Sequence, residues 1–275
     1  MAVTEPTPPP ADEPPGQPTD LTADLVLAHA LADAADRLTL ARFGALDLHV
    51  ETKPDLTPVS DADRDAERAL RDILGRERPA DAVHGEEFGV TGTGSRLWVL
   101  DPIDGTKNYV RGVPVWATLV ALVLDGAPLV GVVSAPALGR RWWGATGLGA
   151  WVREPGAEEP RRLAVSGVAA LADASLAYSD LVGWGDRSEP FRALLDAVWR
   201  TRAYGDFWSH MLVAEGAVDV AIEPELSPWD IAALVPVIEE AGGRVTGWDG
   251  SPAMRTGTAV TSNGALHGQL LDALG

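Results

Sequence analysis

Two aspartates, Asp101 and Asp104, lie three residues apart in the segment WVLDPIDGTKNYVRGVP, which begins at Trp98. Pro102 stiffens the turn between them, and Gly105 allows another group to approach the backbone closely. Two carboxylates on one tight turn repel each other unless a cation lies between them. Oxygen ligands without His or Cys suit a hard ion such as Mg²⁺. The segment therefore predicts a magnesium site.

The residues that follow this turn could bind phosphate. Gly105, Thr106 and Lys107 open a predicted short helix, whose first N–H groups lack partners within the helix. One segment could thus supply both metal ligands and a phosphate cradle. An isolated D-P-x-D-G is more often a capped surface turn, so this interpretation needs support from elsewhere in the chain.

Two other acidic segments give that support. Glu86 and Glu87 lie between glycines just before the strand that ends at Asp101, and Asp230 lies in the first turn of a predicted helix. Each has an ordinary alternative, namely solvated loop acids for the pair and a charge that complements the helix dipole for Asp230. Only the combination of the three segments favours a site.

Composition restricts the partners that this chain can bind. Its 275 residues carry a formal charge of −18, which disfavours nucleic acids and anionic membranes because Lys and Arg clusters hold both. The absence of Cys excludes disulfides, thiolate metal sites and Cys nucleophiles. The chain has 20 Arg but only two Lys, and both Lys53 and Lys107 lie beside the predicted site.

The N-terminal segment is predicted to be a tail outside the folded part. Residues 1–20 contain seven prolines and have neither a basic region nor an apolar one, so we expect a disordered segment without a targeting signal. No apolar run in the chain reaches 18 residues. A cytoplasmic protein without a membrane partner is expected.

The pattern of predicted helices and strands changes at about residue 165. The first part is predicted to hold two helices, one with a capping box at Ser60 and Asp63, followed by antiparallel strands joined by a hairpin at Asp125-Gly126. The second part alternates strands with helices. We expect an α+β metal- and phosphate-binding subdomain over 21–165 and an α/β subdomain over 166–275.

One predicted helix of the second part contains a proline. The helix over 229–241 includes Pro236, which lacks the N–H that a helix interior needs. We therefore expect a kink or a local break there.

The acidic segments, taken together and in order, resemble the inositol monophosphatase family of Mg²⁺-dependent phosphomonoesterases. The two matching motifs are WVLDPIDGT and WDIAALVPVIEEAGG, and the resemblance covers residues 21–275. It implies an α+β fold, the layered α-β-α-β-α sandwich shared with fructose bisphosphatases. It also implies two or three Mg²⁺ ions and a homodimer.

The resemblance also implies roles for individual residues. The expected metal ligands are Glu86, Asp101, Asp104, Asp230 and the backbone carbonyl of Ile103. The family places an acid at the end of a D-L-V-T-x-x-D stretch, matched here by DLTPVSD, so Asp61 is expected to act with Thr106 on the attacking water. The expected substrate-binding residues are Gly105, Thr106, Lys107, Asp206, Glu223 and Asp230.

Two departures from the inositol-specific pattern indicate the substrate. Lys107 stands where inositol phosphatases carry a second Thr, and the segment RAYGDFWSHMLVAE replaces their small residues. Both features resemble the histidinol-phosphate phosphatase branch of the family. A cationic substrate with an imidazole would suit Asp206 and Glu223, with Phe207 or Trp208 stacking on the ring. Helix capping by Asp206 and core packing of the two aromatic residues remain alternatives.

Two other functions stay open. The first is hydrolysis of a different small ester, such as inositol 1-phosphate, a sugar phosphate or 3′-phosphoadenosine 5′-phosphate. The second is a non-catalytic scaffold that binds RNA or the transcription machinery. The complete set of acids favours retained chemistry, and the net charge disfavours RNA.

Overall fold

A computed structural model of the chain describes residues 20–53 and 57–275. Two long helices come first, α1 (Thr22–Arg42) and α2 (Asp61–Glu77). The predicted capping box is confirmed at the start of α2, where Ser60 and Asp63 satisfy each other's backbone N–H groups. The apolar faces of both helices pack on one face of a large sheet, so the start of α2 is held firmly against that sheet.

A short ribbon connects the two helices. Its strands are β1 (Val50–Thr52) and β2 (Pro58–Ser60), which pair antiparallel. Lys53 directly follows β1, and the residues between Lys53 and Thr57 lie outside the described part.

The large sheet has eight strands, nearly all antiparallel, in the spatial order β10-β9-β8-β7-β6-β5-β3-β4. One neighbouring pair, β3 and β5, runs parallel. The predicted hairpin is confirmed, because Asp125 and Gly126 both have positive φ between β6 and β7. In chain order the strands are β3 (Ala82–Gly85), β4 (Gly89–Thr91), β5 (Arg96–Asp104), β6 (Ala117–Leu124), β7 (Ala127–Ala135), β8 (Arg140–Ala145), β9 (Gly149–Arg153) and β10 (Arg161–Arg162).

A second sheet has five strands in the order β12-β11-β13-β15-β14. Strand β11 runs parallel to both of its neighbours, β12 and β13, whereas β15 runs antiparallel to β13 and β14. In chain order the strands are β11 (Ser175–Tyr178), β12 (Arg200–Arg202), β13 (Val220–Glu223), β14 (Arg244–Thr246) and β15 (Ala259–Ser262).

The remaining helices complete five layers. Helices α5 and α7 fill the space between the two sheets, and α4 and α9 cover the outer face of the second sheet. The predicted α-β-α-β-α sandwich is therefore confirmed. These helices are α3 (Thr106–Val110), α4 (Ser188–Ala197), α5 (Asp206–Ala214), α6 (Pro228–Ile231), α7 (Leu234–Glu240), α8 (Ala253–Thr256) and α9 (His267–Leu274).

The break predicted near Pro236 is confirmed and separates α6 from α7. Pro236 is the third residue of α7 and cannot donate a hydrogen bond to the carbonyl of Ala232, which lies in the gap. Asp230 therefore lies on its own short helix, separate from α7. The break separates the element that positions Asp230 from the element that fills the core.

The two sheets are separated by the connection between Arg162 and Ser175. The expected boundary at 165 falls in this connection, and the division into two subdomains stays a prediction. The predicted tail over 1–20 lies outside the described residues except for Asp20. Within the described ranges, no helix is both long and apolar enough to cross a membrane.

Candidate active site

Three of the predicted metal ligands converge at the end of β5. Asp101 and Asp104 come from the last residues of that strand and Asp230 from α6, and one carboxylate oxygen of each lies within 4.8 Å of the others. Asp101 and Asp104 are buried. The structure thus brings together residues that lie more than 120 positions apart in the sequence.

Each of these carboxylates is oriented by a backbone N–H group. Ile103 donates to Asp101 over 2.9 Å, Phe207 donates to Asp104 over 2.8 Å, and Ser227 donates to Asp230 over 2.7 Å. A single bound oxygen fixes the direction of the whole carboxylate, so the second oxygen of each residue can face a cation. The donor set is all oxygen and anionic, which fits a hard divalent ion.

The pKa values of the three carboxyls show how strongly the site favours a cation. Burial, together with the neighbouring acids, raises the pKa values of Asp101 and Asp104 well above their usual range. Burial also raises the pKa of Asp230 to about 7. A cation bound among these groups would reverse the shifts, because it stabilises the charged forms.

Glu86 lies beside the cluster and contacts a lysine. Lys53 Nζ donates to Glu86 Oε1 over 2.7 Å and to Glu87 Oε1 over 2.6 Å. Burial opposes the charge of this lysine, yet the two glutamates raise its pKa. Glu86 is also close enough to Asp101 to raise the pKa of that carboxyl. Lys53 therefore lies at the site, as its sequence position indicated.

The hydroxyl of Thr106 lies between two acceptors. Its Oγ1 is 2.9 Å from the carbonyl oxygen of Ile103 and 3.4 Å from Oδ1 of Asp63. Oδ2 of Asp63 is already engaged by the backbone N–H and the hydroxyl of Ser60. Asp63 thus serves as both the helix cap and the acidic neighbour of Thr106.

The prediction that Asp61 is this neighbour is wrong. Asp61 Oδ2 instead accepts a hydrogen bond from Arg42 over 2.8 Å. Asp61 is the first residue of α2 and Asp63 the third, so their side chains leave the helix in directions about 200° apart. The family pattern ends T-x-x-D, and counting from Ser60 in place of the Thr leads to Asp63 rather than Asp61.

Gly105 is the residue directly before α3, and a side chain there would be strained and tightly packed. Its φ is +84°, and a Cβ there would lie 3.1 Å from the carbonyl oxygen of Val115 and 3.3 Å from Oδ2 of Asp206. Glycine is therefore required both by its backbone conformation and by its neighbours. The close packing places the start of α3 directly against Asp206.

A cavity of about 590 Å³ joins the acid cluster to the predicted substrate-binding residues. The residues predicted for both parts line it: Glu86, Asp101, Ile103, Asp104, Gly105, Thr106, Lys107, Asp206, Glu223 and Asp230. A volume of this size accommodates a small organic phosphate.

Asp206 and Glu223 are linked through Ser179. The Ser179 hydroxyl accepts a hydrogen bond from the backbone N–H of Asp206 over 2.9 Å and donates one to Glu223 over 2.7 Å. Burial raises the pKa of Glu223 to about 8 and also raises that of Asp206, although the charge of Lys107 acts in the opposite direction. Sequence analysis did not select Ser179, and no motif identifies it.

The positions of Phe207 and Trp208 favour the alternative in which these aromatic residues pack in the core. Phe207 lines the cavity but is buried against Trp142 in the core, whereas Trp208 packs beside Tyr204 outside the set of cavity-lining residues. Stacking of Trp208 on a ligand ring is therefore not supported. Tyr204 and Trp229 line the cavity instead, and sequence analysis assigned neither of them a role there.

The raised pKa values predict how stability depends on pH. Without metal, the folded protein holds protons on Asp230 and Glu223 at pH values where the unfolded chain has released them. Stability must then fall as pH rises from 7 to about 8, by up to about 1.4 kcal/mol per pH unit for each proton still bound, and the fall ends once both groups are ionised. The histidines do not interfere in this window, because their unfolded pKa of about 6.5 lies below it.

Thermal unfolding in EDTA at several pH values measures this effect. We expect the Tm to fall between pH 7 and 8.5, and we expect added Mg²⁺ to raise the Tm more at pH 8.5 than at pH 7. A Tm in EDTA that stays constant or rises over this range would contradict the interpretation.

Comparison with known proteins places the fold and site in context. Residues 20–275 match the model of the inositol monophosphatase family. The chain is 60% identical to a histidinol-phosphatase of Streptomyces coelicolor, covering 92% of this chain and 97% of that protein. It is 61% identical to a histidinol-phosphatase of Mycobacterium tuberculosis, with coverage of 91% and 97%. The solved structure of an inositol monophosphatase from Zymomonas mobilis superposes with a TM-score of 0.82 at 33% identity, covering 94% of this chain and 99% of that one.

Proposed function

The chain belongs to the inositol monophosphatase family, and on that premise we propose that it hydrolyses L-histidinol phosphate to L-histidinol and phosphate. The observation that carries the proposal is a cavity in which a cluster of metal-type carboxylates meets the buried Glu223 and the partly buried Asp206. The first group suits a phosphate held through cations, and the second suits a cationic alcohol.

We assign the metal site to Glu86, Asp101, Asp104, Asp230 and the carbonyl of Ile103. Two or three Mg²⁺ ions bound there would neutralise the phosphate and lower the pKa of a water. The start of α3, from Gly105 to Lys107, would hold the phosphate oxygens. The ammonium of Lys107 adds a compact positive charge at that position.

We assign the activation of water to Thr106 and Asp63. A hydroxyl has one proton to donate, so when Thr106 donates it to Asp63, its lone pairs face an incoming water and can accept that water's proton. Burial raises the pKa of Asp63 to about 6, so the carboxylate form predominates at neutral pH. These two residues would orient a water for attack on the phosphorus atom.

Asp230 is placed to assist the departure of the alcohol. Its Oδ2 is fixed by the N–H of Ser227, so its free oxygen can hold the water that protonates the leaving oxygen. No covalent intermediate with the enzyme is needed. The five histidines have no assigned part in the proton transfers.

The end of the cavity that holds Asp206 and Glu223 is expected to select the alcohol part of the substrate. Glu223 is 3% exposed and Asp206 is also largely shielded, so neither is well solvated without a ligand. A cationic substrate would ionise them by supplying the opposite charge. A neutral polyol supplies no such charge, so Glu223 would keep its proton and could not form an ion pair. The pair therefore favours histidinol phosphate over inositol 1-phosphate.

Phosphate release with Mg²⁺ over a panel of esters tests the proposal. Histidinol phosphate is expected to give the highest kcat/KM among histidinol phosphate, inositol 1-phosphate, a hexose phosphate and 3′-phosphoadenosine 5′-phosphate. A kcat/KM for histidinol phosphate no higher than that for inositol 1-phosphate would overturn it.

Glu223→Gln tests the selectivity for the substrate, because it replaces one carboxylate oxygen by an amide nitrogen. We expect it to raise KM for histidinol phosphate about tenfold or more, which corresponds to the loss of one charge-assisted contact, and to change kcat/KM for inositol 1-phosphate much less. Glu189→Gln makes the same chemical change at an exposed position and should alter neither constant. Equal losses on both esters in Glu223→Gln would show that this residue does not select the substrate.

The partner is thus a small phosphate ester. A homodimer, which the resemblance implies, stays a prediction that light scattering of the purified protein can test.

A further inference from the structure

Glu67 is a fully buried carboxylate that accepts hydrogen bonds from three donors. It lies on α2 one turn after Asp63, and its side chain reaches the turn that carries Glu86. Oε2 accepts the backbone N–H of Glu87 over 2.7 Å, and Oε1 accepts the N–H of Phe88 over 3.2 Å. These bonds fix the two residues that directly follow Glu86.

Arg71 also forms hydrogen bonds at the turn that carries Glu86. Its Nε donates to Glu67 Oε1 over 2.7 Å, and its two terminal nitrogens donate to the carbonyl of Gly89 and to the hydroxyl of Thr91 over 2.9 Å. The guanidinium therefore links the buried carboxylate to β4. Together the two side chains fasten the turn between β3 and β4 to a single helix.

Gly85 leaves the space that this arrangement needs. A Cβ at that position would lie 1.9 Å from Glu67 Oε1, which is shorter than any allowed contact. The chain therefore lacks a side chain where the carboxylate enters the turn. Glycine at 85 and glutamate at 67 fit together as a pair.

We propose that Glu67 is a positioning residue that holds Glu86 in the orientation needed to bind metal. The inference rests on the proposed function, in which Glu86 is a metal ligand. Glu67 and Asp63 project from the same helix, so that helix sets both the ligand turn and the acid beside Thr106. Residues that orient metal ligands typically change metal affinity by about 10–100-fold when replaced.

Glu67→Gln tests this proposal, because an amide presents an NH₂ group to one of three donors and cannot accept all of their bonds. Calorimetric titration with Mg²⁺, without substrate, is expected to show affinity about 10–100-fold weaker than that of the wild type. In activity assays, the Mg²⁺ concentration for half-maximal rate should rise by a similar factor, while kcat at saturating Mg²⁺ returns to within threefold. General loss of structure would not produce this separation.

Asp65→Asn is the matched control. It removes one negative charge two residues earlier on the same helix, where the side chain is 64% exposed and pairs with Arg68. It should bind Mg²⁺ with wild-type affinity. If Asp65→Asn and Glu67→Gln weaken binding equally, the effect is one of net charge and the proposal is overturned.

Wild-type Mg²⁺ affinity in a folded Glu67→Gln would also overturn the proposal. If that variant does not fold, Arg71→Lys carries the test, since it keeps the charge but loses the planar fork; unchanged Mg²⁺ affinity in Arg71→Lys would then be the contrary result. Failure of the proposed function would appear separately, as a wild-type enzyme that binds Mg²⁺ but does not hydrolyse histidinol phosphate.

Discussion

Asp101→Asn is expected to lower kcat for histidinol phosphate by about 1000-fold or more, because metal stabilisation of the transition state contributes several kcal/mol. Asn keeps one oxygen to accept the N–H of Ile103, so the turn itself should persist. Its second polar atom becomes an NH₂ group, which cannot bind a cation. A phosphate-release assay over a range of Mg²⁺ concentrations measures the loss.

Thermal unfolding distinguishes loss of metal from loss of fold in this variant. Burial among other acids raises the pKa of Asp101, so the metal-free folded protein must hold a proton there that the unfolded chain releases, and Asn removes that cost. We expect a higher Tm than the wild type in EDTA and a smaller rise on addition of Mg²⁺. Asp196→Asn, an exposed change of the same kind, should behave as the wild type. An Asp101→Asn enzyme with wild-type activity would remove Asp101 from the metal site.

Asp63→Asn is expected to lower kcat by about 100- to 10,000-fold, the usual contribution of general base catalysis. An amide cannot accept the Thr106 proton as a base, although its oxygen can still cap α2 through Ser60. We therefore expect KM and the Mg²⁺ dependence to change little. Steady-state kinetics at several Mg²⁺ concentrations separates these constants.

The pH profile gives an independent check on Asp63. Because burial raises its pKa to about 6, the wild-type kcat/KM should fall as pH decreases below about 6. The residual activity of Asp63→Asn should lose this dependence.

Asp61→Asn is the decisive control, since it makes the same change two residues away. Asp61 pairs with Arg42 rather than Thr106, and we expect kcat within threefold of the wild type. The reverse result, with Asp61→Asn inactive and Asp63→Asn active, would restore the interpretation based on the DLTPVSD match.

The acidic turn at the end of β5 and the break in the helix that follows Asp230 could be predicted because local chemistry dictates them. Asp101 and Asp104 belong to one turn, and Pro236 interrupts its helix regardless of the surroundings. The prediction of the acid beside Thr106 failed, because both Asp61 and Asp63 fit an inexact motif. Only the direction in which each side chain leaves the helix decides which of the two contacts Thr106. The contacts of Ser179 with Glu223 and of Glu67 with the Glu86 turn join distant segments, and no sequence spacing encodes them.

The hydrogen bond from the Phe207 N–H to Asp104 has a consequence for dividing this chain. Asp104 ends a strand of the first sheet, whereas Phe207 begins the helix that packs against the second. Asp230 is likewise contributed by the later part of the chain. Two fragments separated in the connection after Arg162 would each lack part of the site. Recovery of phosphatase activity on mixing them would therefore report their reassembly, which makes this chain suitable for a complementation assay.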